Sequence, residues 1–266
     1  MQNANVLFGQ KITMTASTHP EIIRCGNSHI LFDATLVAKP DDHLFNIDWL
    51  NRHSVLQPTE SGRGESWFID FKRSGLQNQQ WVLRHYLRGG MAAKFNRDLY
   101  LAWQAEQSRA WKEWRLLYHM HTLGLPVPRP VAARAYWPAG RKLGLHRADI
   151  LLERIPQCSN LSSLLQQRAL PETVWRAIGQ CVQTFHSHDI YHADLNANNI
   201  LIDTQEKIYL IDFDRCRITS NRQLKAGNLP RLKRSLQKLQ GLHPVYHFTE
   251  QNWQMLLAGY SANSSA

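Results

Sequence analysis

The segment from His192 to Asp212 constrains the fold of this chain more than any other part of its sequence. A polar run is followed by an apolar stretch, a polar turn, and a second apolar stretch that ends at an acidic residue. Two short apolar runs on either side of a polar turn predict a β-hairpin. Because a hairpin brings its two strand ends together, we expect Asn199 and Asp212 to lie side by side. The polar run itself is His192-Ala193-Asp194-Leu195-Asn196-Ala197-Asn198-Asn199.

This segment carries the residue types that phosphoryl transfer needs, namely a carboxylate near the attacking hydroxyl and oxygen ligands for magnesium. We assign Asp194 as the catalytic residue that accepts or orients the proton of the acceptor hydroxyl. Asn199 and Asp212 are the predicted Mg²⁺ ligands. His192 is expected to pack against the Asp212 region and fix the loop. Asn196 replaces a lysine that is frequent in protein kinases, and we expect it to contact the transferred phosphate or the acceptor.

The spacing matches the kinase pattern, in which an asparagine follows the catalytic-loop aspartate by five residues and a second aspartate comes after a hairpin. An isolated His-x-Asp could instead be a surface turn, a metal pair or part of a hydrolase triad. The flanking apolar strands and the amphipathic pattern of residues 171–188 favour the kinase interpretation, because context supports a motif.

The rest of the chain predicts an α+β, two-lobed, protein-kinase-like fold. Strand patterns at 67–71, 81–86 and 148–155 surround a helical pattern at 105–123, and the region after the hairpin is mostly helical. We therefore expect a β-rich N-terminal lobe with one helix over residues 1–155 and a mainly helical C-terminal lobe over residues 156–266. The stretch before Asn51 predicts irregular structure with a strand or two.

The nucleotide contacts are expected in the N-terminal lobe. Gly62-Arg63-Gly64 precedes a strand, and its glycines would let backbone amides approach phosphates closely, although such a run is also an ordinary hairpin turn. Kinases also pair a strand cation with a helical glutamate. Arg84 holds the strand position here, with Lys94 as an alternative, and Glu113 is the predicted partner unless it faces solvent.

The adenine base is expected to meet backbone groups near Glu153 and Ile155, where a strand runs into Pro156. The acceptor is expected not to be a peptide. Few residues follow the Asp212-Phe213-Asp214 triplet in this 266-residue chain, and no Ala-Pro-Glu motif is found among them. That leaves little room for an activation segment and the helices that grip a peptide.

The chain is basic, with 31 lysines and arginines against 21 acids and a formal net charge of +10. Such a surface attracts nucleic acid, anionic lipid or phosphorylated substrates. Residues 229–239, LPRLKRSLQKL, predict a closing helix that docks on the C-terminal lobe by its leucine face. Its basic face could meet anionic lipid headgroups or a phosphorylated acceptor. The sequence contains no apolar run of transmembrane length, no signal-peptide pattern and four scattered cysteines, which predicts a reduced, cytosolic setting.

Several of these motifs resemble the 3-deoxy-D-manno-octulosonic acid (Kdo) kinase family of Gram-negative bacteria. The resemblance implies ATP-dependent phosphorylation of the 4-hydroxyl of Kdo on a lipid A precursor, with Mg²⁺, during lipopolysaccharide core assembly. It also implies a peripheral enzyme on the cytoplasmic face of the inner membrane. Arg84 and the Asp212–Asp214 triplet depart from protein kinases and agree with this family. The motifs are GRGESWF (62–68), VLRHYLRGG (82–90), LGLPVPRPVAAR (123–134), YHADLNANNILID (191–203), LIDFDRCR (210–217) and NLPRLKRSLQK (228–238).

Other functions remain open at the level of sequence. The chain could be another small kinase of this fold, such as a lipopolysaccharide heptose kinase, an aminoglycoside-type phosphotransferase or an atypical serine/threonine kinase. It could also be a pseudokinase that scaffolds a membrane assembly, although the intact Asp194, Asn199 and Asp212 argue against that. Nucleic acid is not expected as a partner, because no recognised nucleic-acid motif accompanies the charge.

Overall fold

The computed structural model describes residues 20–58, 66–71, 79–86 and 99–262 of the chain. The chain divides into two compact units, Met1–Tyr118 with Arg129–Arg154, and His119–Pro128 with Ile155–Ala266. The segment His119–Pro128, which the sequence analysis assigned to the N-terminal lobe, thus clusters with the second unit. The carbonyl of Pro126 accepts a hydrogen bond from the Leu210 amide at 3.1 Å, which ties this segment to the hairpin of that unit.

The first unit is built on an antiparallel sheet. Its strands are β1 (Pro20–Cys25), β2 (Ser28–Asp33), β3 (Val55–Pro58), β4 (Ser66–Asp70), β5 (Gln80–His85), β6 (Tyr100–Leu101), β7 (Pro130–Tyr136) and β8 (Leu145–Glu153). They follow the order β1-β2-β7-β8-β5-β4-β3, with β6 paired to β8. The predicted strands are present with ends shifted by up to three residues.

One apolar cluster of this unit lies on one face of the sheet, and other buried side chains, such as Leu31 and Ile150, lie on the opposite face. Successive side chains of a strand point to opposite faces, so Trp81 and Leu83 of β5 share a face, and both are fully buried. Leu44, Phe45 and Leu50 pack in the same apolar cluster. They come from a 3₁₀ turn and from helix α1 (Ile47–His53), neither of which the sequence predicted.

Helix α2 (Arg109–Thr122) follows a 3₁₀ turn, so it begins four residues later than predicted. Its end is a Schellman motif at Gly124, whose φ of 72° suits glycine. The Gly124 amide donates to the His121 carbonyl, and the Leu125 amide donates to the Met120 carbonyl, each at 3.0 Å. Gly124 therefore caps the helix that the sequence pattern predicts over residues 105–123.

The second unit is mainly helical and carries the predicted hairpin, so the α+β class is confirmed. In helix α4 (Glu172–Ser187) the predicted apolar face, Val174, Ile178, Val182 and Phe185, is buried. Within the described part of the chain, no helix is long and apolar enough to span a bilayer. The elements are β9 (Cys158–Asn160), α3 (Leu161–Gln167), α4 (Glu172–Ser187), β10 (Ile190–Tyr191), β11 (Ile200–Asp203), β12 (Ile208–Leu210), β13 (Arg217–Ile218), α5 (Arg222–Ala226), α6 (Asn228–Leu242) and α7 (Glu250–Ala262).

Candidate active site

His192 lies at the start of the polar loop, and its ring connects the loop to the end of the hairpin. The ring is buried, and its Nε2 lies 3.0 Å from the carbonyl oxygen of Ile211. The Asp194 amide donates to Nδ1 at 3.2 Å, so the tautomer that satisfies both contacts carries its proton on Nε2. The ring also packs on Phe213 with centroids 4.8 Å apart. Burial lowers the pKa of His192, which favours this neutral form.

The backbone carbonyl of Asp194 is the second fixed point of the loop. The side-chain amides of Asn196 and Asn199 both donate to this oxygen, each at 2.9 Å. The Oδ1 atom of Asn196 also accepts a hydrogen bond from the Asn198 amide, and so caps a 3₁₀ turn at Ala197–Asn199. The Asn196 side chain therefore holds the loop in shape, a structural task that the sequence analysis did not assign to it.

Asn199 and the residue before Asp212 meet across the hairpin. The register pairs Ile200 with Leu210, and the Ile211 amide donates to the Asn199 carbonyl at 3.0 Å. Strand β12 ends at Leu210, so Asp212 lies two residues beyond the strand and not at its last position as predicted. Its backbone is left-handed, with a φ of 64°. This conformation costs free energy in a residue other than glycine, and such strain concentrates at functional sites.

The side-chain oxygens of Asn199 and Asp212 fit the predicted Mg²⁺ site. Because the Asn199 amide nitrogen points at the Asp194 carbonyl, its Oδ1 atom is the group left to face a cation. An amide oxygen and the Asp212 carboxylate are the hard ligands that Mg²⁺ selects, and it usually takes one or two carboxylates with phosphate and water. Among the described residues no cluster of three His, Cys, Asp or Glu could hold a metal.

Two residues of helix α6 reach this loop, and the sequence analysis gave neither of them that role. Arg231 Nη1 lies 2.9 Å from Asp194 Oδ1, with both side chains partly exposed. Asn228 is fully buried, and its side chain bonds both the amide and the carbonyl of His192. The same Asn228 Oδ1 lies 3.0 Å from His186 Nε2 of helix α4. The motif at 228–238 was the available signal, but its contacts depend on tertiary packing.

In the first unit, the strand cation and the helical glutamate are in contact. Arg84 of β5 forms a short ion pair with Glu113 of α2, and the Tyr86 hydroxyl donates a short hydrogen bond to the same carboxylate. Glu113 is 3% exposed, so the solvent-facing alternative does not apply. Burial, together with the neighbouring Glu113 charge, raises the pKa of Tyr86 and keeps its hydroxyl protonated. Tyr86 is a member of this cluster that the sequence analysis missed.

The structure describes only some of the other predicted nucleotide contacts. The Glu153 amide donates to the Arg129 carbonyl at 2.9 Å, so this amide is already used within the sheet. Burial raises the pKa of the Glu153 carboxyl. The Ile155 carbonyl accepts a 3.1 Å contact from the Cys158 thiol. Gly62, Arg63, Gly64 and Lys94 lie outside the described residues.

A β-rich unit with an Arg84–Glu113 pair and a helical unit with this loop and hairpin define a kinase-like phosphotransferase. The profile of the lipopolysaccharide kinase (Kdo/WaaP) family matches residues 49–260, so the chain belongs to that family.

Named relatives agree with the family match. The chain is 38% identical to a 3-deoxy-D-manno-octulosonic acid kinase of Vibrio parahaemolyticus, across 90% of this chain and 96% of that protein. It is 39% identical to the enzyme of the same name from Actinobacillus succinogenes, with 90% and 98% coverage. The enzyme of that name from Haemophilus influenzae is 38% identical, with 88% and 96% coverage. The resemblance stated from the motifs is confirmed.

Proposed function

We propose that this chain transfers the γ-phosphate of ATP to the 4-hydroxyl of Kdo on a lipid A precursor, as a step in lipopolysaccharide core assembly. The observation that carries the proposal is the loop on which Asp194 and Asn199 are held together. The Asn199 amide donates to the Asp194 carbonyl, while the Asp194 carboxylate stays at the protein surface. An exposed carboxylate on a rigid loop suits an acceptor hydroxyl that arrives from outside.

Each site residue has a distinct task in this proposal. Asp194 accepts or orients the proton of the sugar hydroxyl, and His192 holds the loop that carries it. Asn199 and Asp212 would hold Mg²⁺, which when bound supplies positive charge next to the phosphates. Arg84, held by Glu113, binds the nucleotide phosphates, and Gly62 to Gly64 cover them. The backbone near Glu153 and Ile155 meets the adenine.

Arg231 is assigned as the cation that replaces the missing catalytic-loop lysine. Position 196 is an asparagine whose side chain is used within the loop, so it brings no charge to the transferred phosphate. The Arg231 guanidinium already lies beside the Asp194 carboxylate. A guanidinium binds phosphate oxygens in a bidentate way, and donors placed where charge develops lower the barrier to transfer.

The acceptor is a glycolipid with a membrane anchor, so we place the enzyme at the cytoplasmic face of the inner membrane as a peripheral protein. The net charge of +10 supports attraction to anionic lipid. The relatives named as Kdo kinases support the choice of sugar, because they align with nearly the whole chain.

The test offers purified protein four acceptors with Mg-ATP: a Kdo-lipid A precursor, a heptose-bearing core, an aminoglycoside and a generic protein. We expect a mass gain of one phosphate on the Kdo acceptor alone, mapped by NMR to the 4-hydroxyl and lost in Asp194→Asn. Transfer to heptose, aminoglycoside or protein would reassign the substrate within the same fold. Transfer to none of them, together with no thermal stabilisation by Mg-ATP, would favour a scaffold.

A further inference from the structure

We propose that an exposed apolar cluster on the first unit, Leu101, Trp103 and Leu143, is the surface by which the protein lies on an anionic lipid bilayer. The biological setting of this proposal rests on the proposed function, in which the acceptor is a glycolipid. The structural argument for the surface does not depend on it. The three side chains are 60%, 51% and 59% exposed.

The three residues lie together, because β6 pairs with the start of β8. Leu101 is opposite Leu145 in the register, and the Ala102 amide donates to the Gly144 carbonyl at 2.7 Å. Leu143 directly precedes Gly144. The Trp103 ring lies so close to Gly144 that a Cβ atom there would be 2.7 Å from the ring. Close packing of this kind holds the indole at a defined place on the surface.

The position of Trp103 is fixed from a second side. The Arg141 guanidinium donates to the Trp103 carbonyl through Nε at 3.1 Å and Nη2 at 2.7 Å. Ala102, which lies between Leu101 and Trp103, is buried, and its carbonyl accepts a hydrogen bond from the Trp137 indole at 2.8 Å. The backbone that carries Leu101 and Trp103 is thus anchored to the core, while their side chains face outward.

The surroundings of this cluster are basic. Arg141 and Lys142 immediately precede Leu143 in the 3₁₀ turn Arg141–Leu143, and Arg147 follows in β8; all three side chains are exposed. Among the described residues close to the cluster along the chain, one exposed acid, Glu106, lies in the neighbouring 3₁₀ turn. An exposed tryptophan with aliphatic neighbours and a rim of cations is the composition of surfaces that settle into the interface of anionic membranes.

The charge distribution of helix α6 makes it the weaker candidate. Of its four predicted lipid-facing cations, Arg231 is paired with Asp194, and Lys233 lies 2.8 Å from Glu250. Arg234 and Lys238 are exposed but have no exposed aromatic residue beside them on that helix. We therefore assign bilayer binding to the cluster of Leu101, Trp103 and Leu143.

The experiment is flotation of the full chain with vesicles of phosphatidylcholine alone and with added phosphatidylglycerol. We expect wild type to float with the anionic vesicles. The triple variant Leu101→Ser, Trp103→Ser, Leu143→Ser should lose flotation, while Leu242→Ser with Val245→Ser, two equally exposed apolar residues elsewhere, should keep it. Lys142→Ser with Arg147→Ser, which keeps the Arg141 hydrogen bonds to Trp103, should weaken binding by about fivefold per cation removed. The same charge change at Arg234 and Lys238 should have a smaller effect.

Retained flotation of the triple variant, equal losses in the matched controls, or no flotation of wild type would overturn the proposal. A wild-type dimer that becomes monomeric in the triple variant would also overturn it, because the cluster would then be a contact between copies of the chain. Kinase assays separate this from the proposed function. The triple variant should lose activity on acceptor in vesicles but keep it on acceptor dispersed in detergent, whereas a wrong substrate assignment would abolish both for wild type.

Discussion

The guanidinium of Arg231 on helix α6 lies 2.9 Å from the carboxylate of Asp194 on the catalytic loop. Both side chains are partly exposed, and an exposed ion pair of this kind contributes less than about 1 kcal/mol to stability. A contact that does little for folding and yet adjoins the predicted catalytic carboxylate is more informative about the reaction than about the fold.

We therefore predict that Arg231→Ala lowers kcat by about a hundredfold, because a donor to the charge that develops on the transferred phosphate is lost. The unfolding free energy should change by less than about 1 kcal/mol. Arg231→Lys should recover part of the rate. Arg234→Ala, an exposed arginine of the same helix, is the matched control and should leave kcat unchanged. A loss of only a few-fold in Arg231→Ala would mean that the arginine merely holds Asp194 in place.

Asp194 and Asp212 should be separable by experiment. Asp194→Asn should reduce turnover by about 10³-fold, since it removes the group that takes the proton, but should keep thermal stabilisation by Mg-ATP. Asp212→Asn should lose both, because it removes a carboxylate ligand of the ion. Asp48→Asn, at an exposed site on helix α1, is the control for loss of an acid. Full Mg-ATP stabilisation of Asp212→Asn would contradict the metal assignment.

Substitutions at Arg84 and Lys94 can show which of the two cations binds the nucleotide phosphates. Arg84→Lys should raise the KM for ATP by about tenfold, because a lysine cannot bind phosphate in the bidentate way of a guanidinium. Glu113→Gln should act in the same direction, since it weakens the hold on Arg84. Lys112→Ala, an exposed cation on α2, is the control. A larger rise in KM from Lys94→Ala than from Arg84→Lys would transfer the role to Lys94.

The structural features that could be predicted from the sequence are those determined by short-range patterns. The hairpin after Asn199 follows from two apolar runs and a polar turn, and the end of α2 follows from Gly124. In both cases the controlling residues lie within a few positions of one another, so backbone propensity and hydrogen bonding decide the outcome locally.

The features that could not be predicted from the sequence depend on contacts between residues that are far apart in the chain. Strand β7 begins at Pro130, the third of three closely spaced prolines, and the sequence analysis did not predict it; pairing with β2 and β8 makes it a central strand. Arg231 and Asp194 are 37 positions apart, and Asn228 and His192 are 36 apart. No periodicity encodes such pairs, because they arise only when α6 packs against the loop.

The unfolding free energy should depend on pH through His186. Burial is the main cause that lowers the pKa of His186, with Lys225 acting in the same direction and the Asn228 hydrogen bond opposing them. A histidine whose pKa is lowered by folding contributes stability that is present above the unfolded value of about 6.5 and is lost as the pH falls through the folded value. Stability should therefore fall from pH 7 towards pH 5, with a contribution of at most about 1.4 kcal/mol per pH unit from this residue.

Urea unfolding at several pH values provides the measurement. His186→Gln should be less stable than wild type at pH 7.5 and should show a flatter decline below pH 6.5. His188→Gln, two residues away and exposed, should reproduce the wild-type slope. Parallel declines for wild type and His186→Gln would show that other groups control the acid sensitivity.

Two glycines allow helices α4 and α7 to pack in direct backbone contact. A Cβ atom on Gly179 would lie 2.0 Å from the Leu256 carbonyl oxygen, and one on Gly259 would lie 2.1 Å from the Arg176 carbonyl oxygen. Neither distance is compatible with an alanine, so the helices would have to separate. We predict that Gly179→Ala and Gly259→Ala each lower the unfolding free energy by about 3 kcal/mol.

Gly241 is the matched control for these substitutions, because it also lies in a helix, α6, but has open space around its Cβ position. Gly241→Ala should raise the unfolding free energy by about 0.5 kcal/mol, since alanine loses less backbone entropy on folding than glycine. Urea denaturation of the three variants measures both the expected loss and the expected gain in unfolding free energy. If Gly179→Ala were as stable as Gly241→Ala, the close approach of α4 and α7 would not be a requirement of this fold. A destabilisation confined to the two packed glycines would instead identify steric contact, and not helix propensity, as its cause.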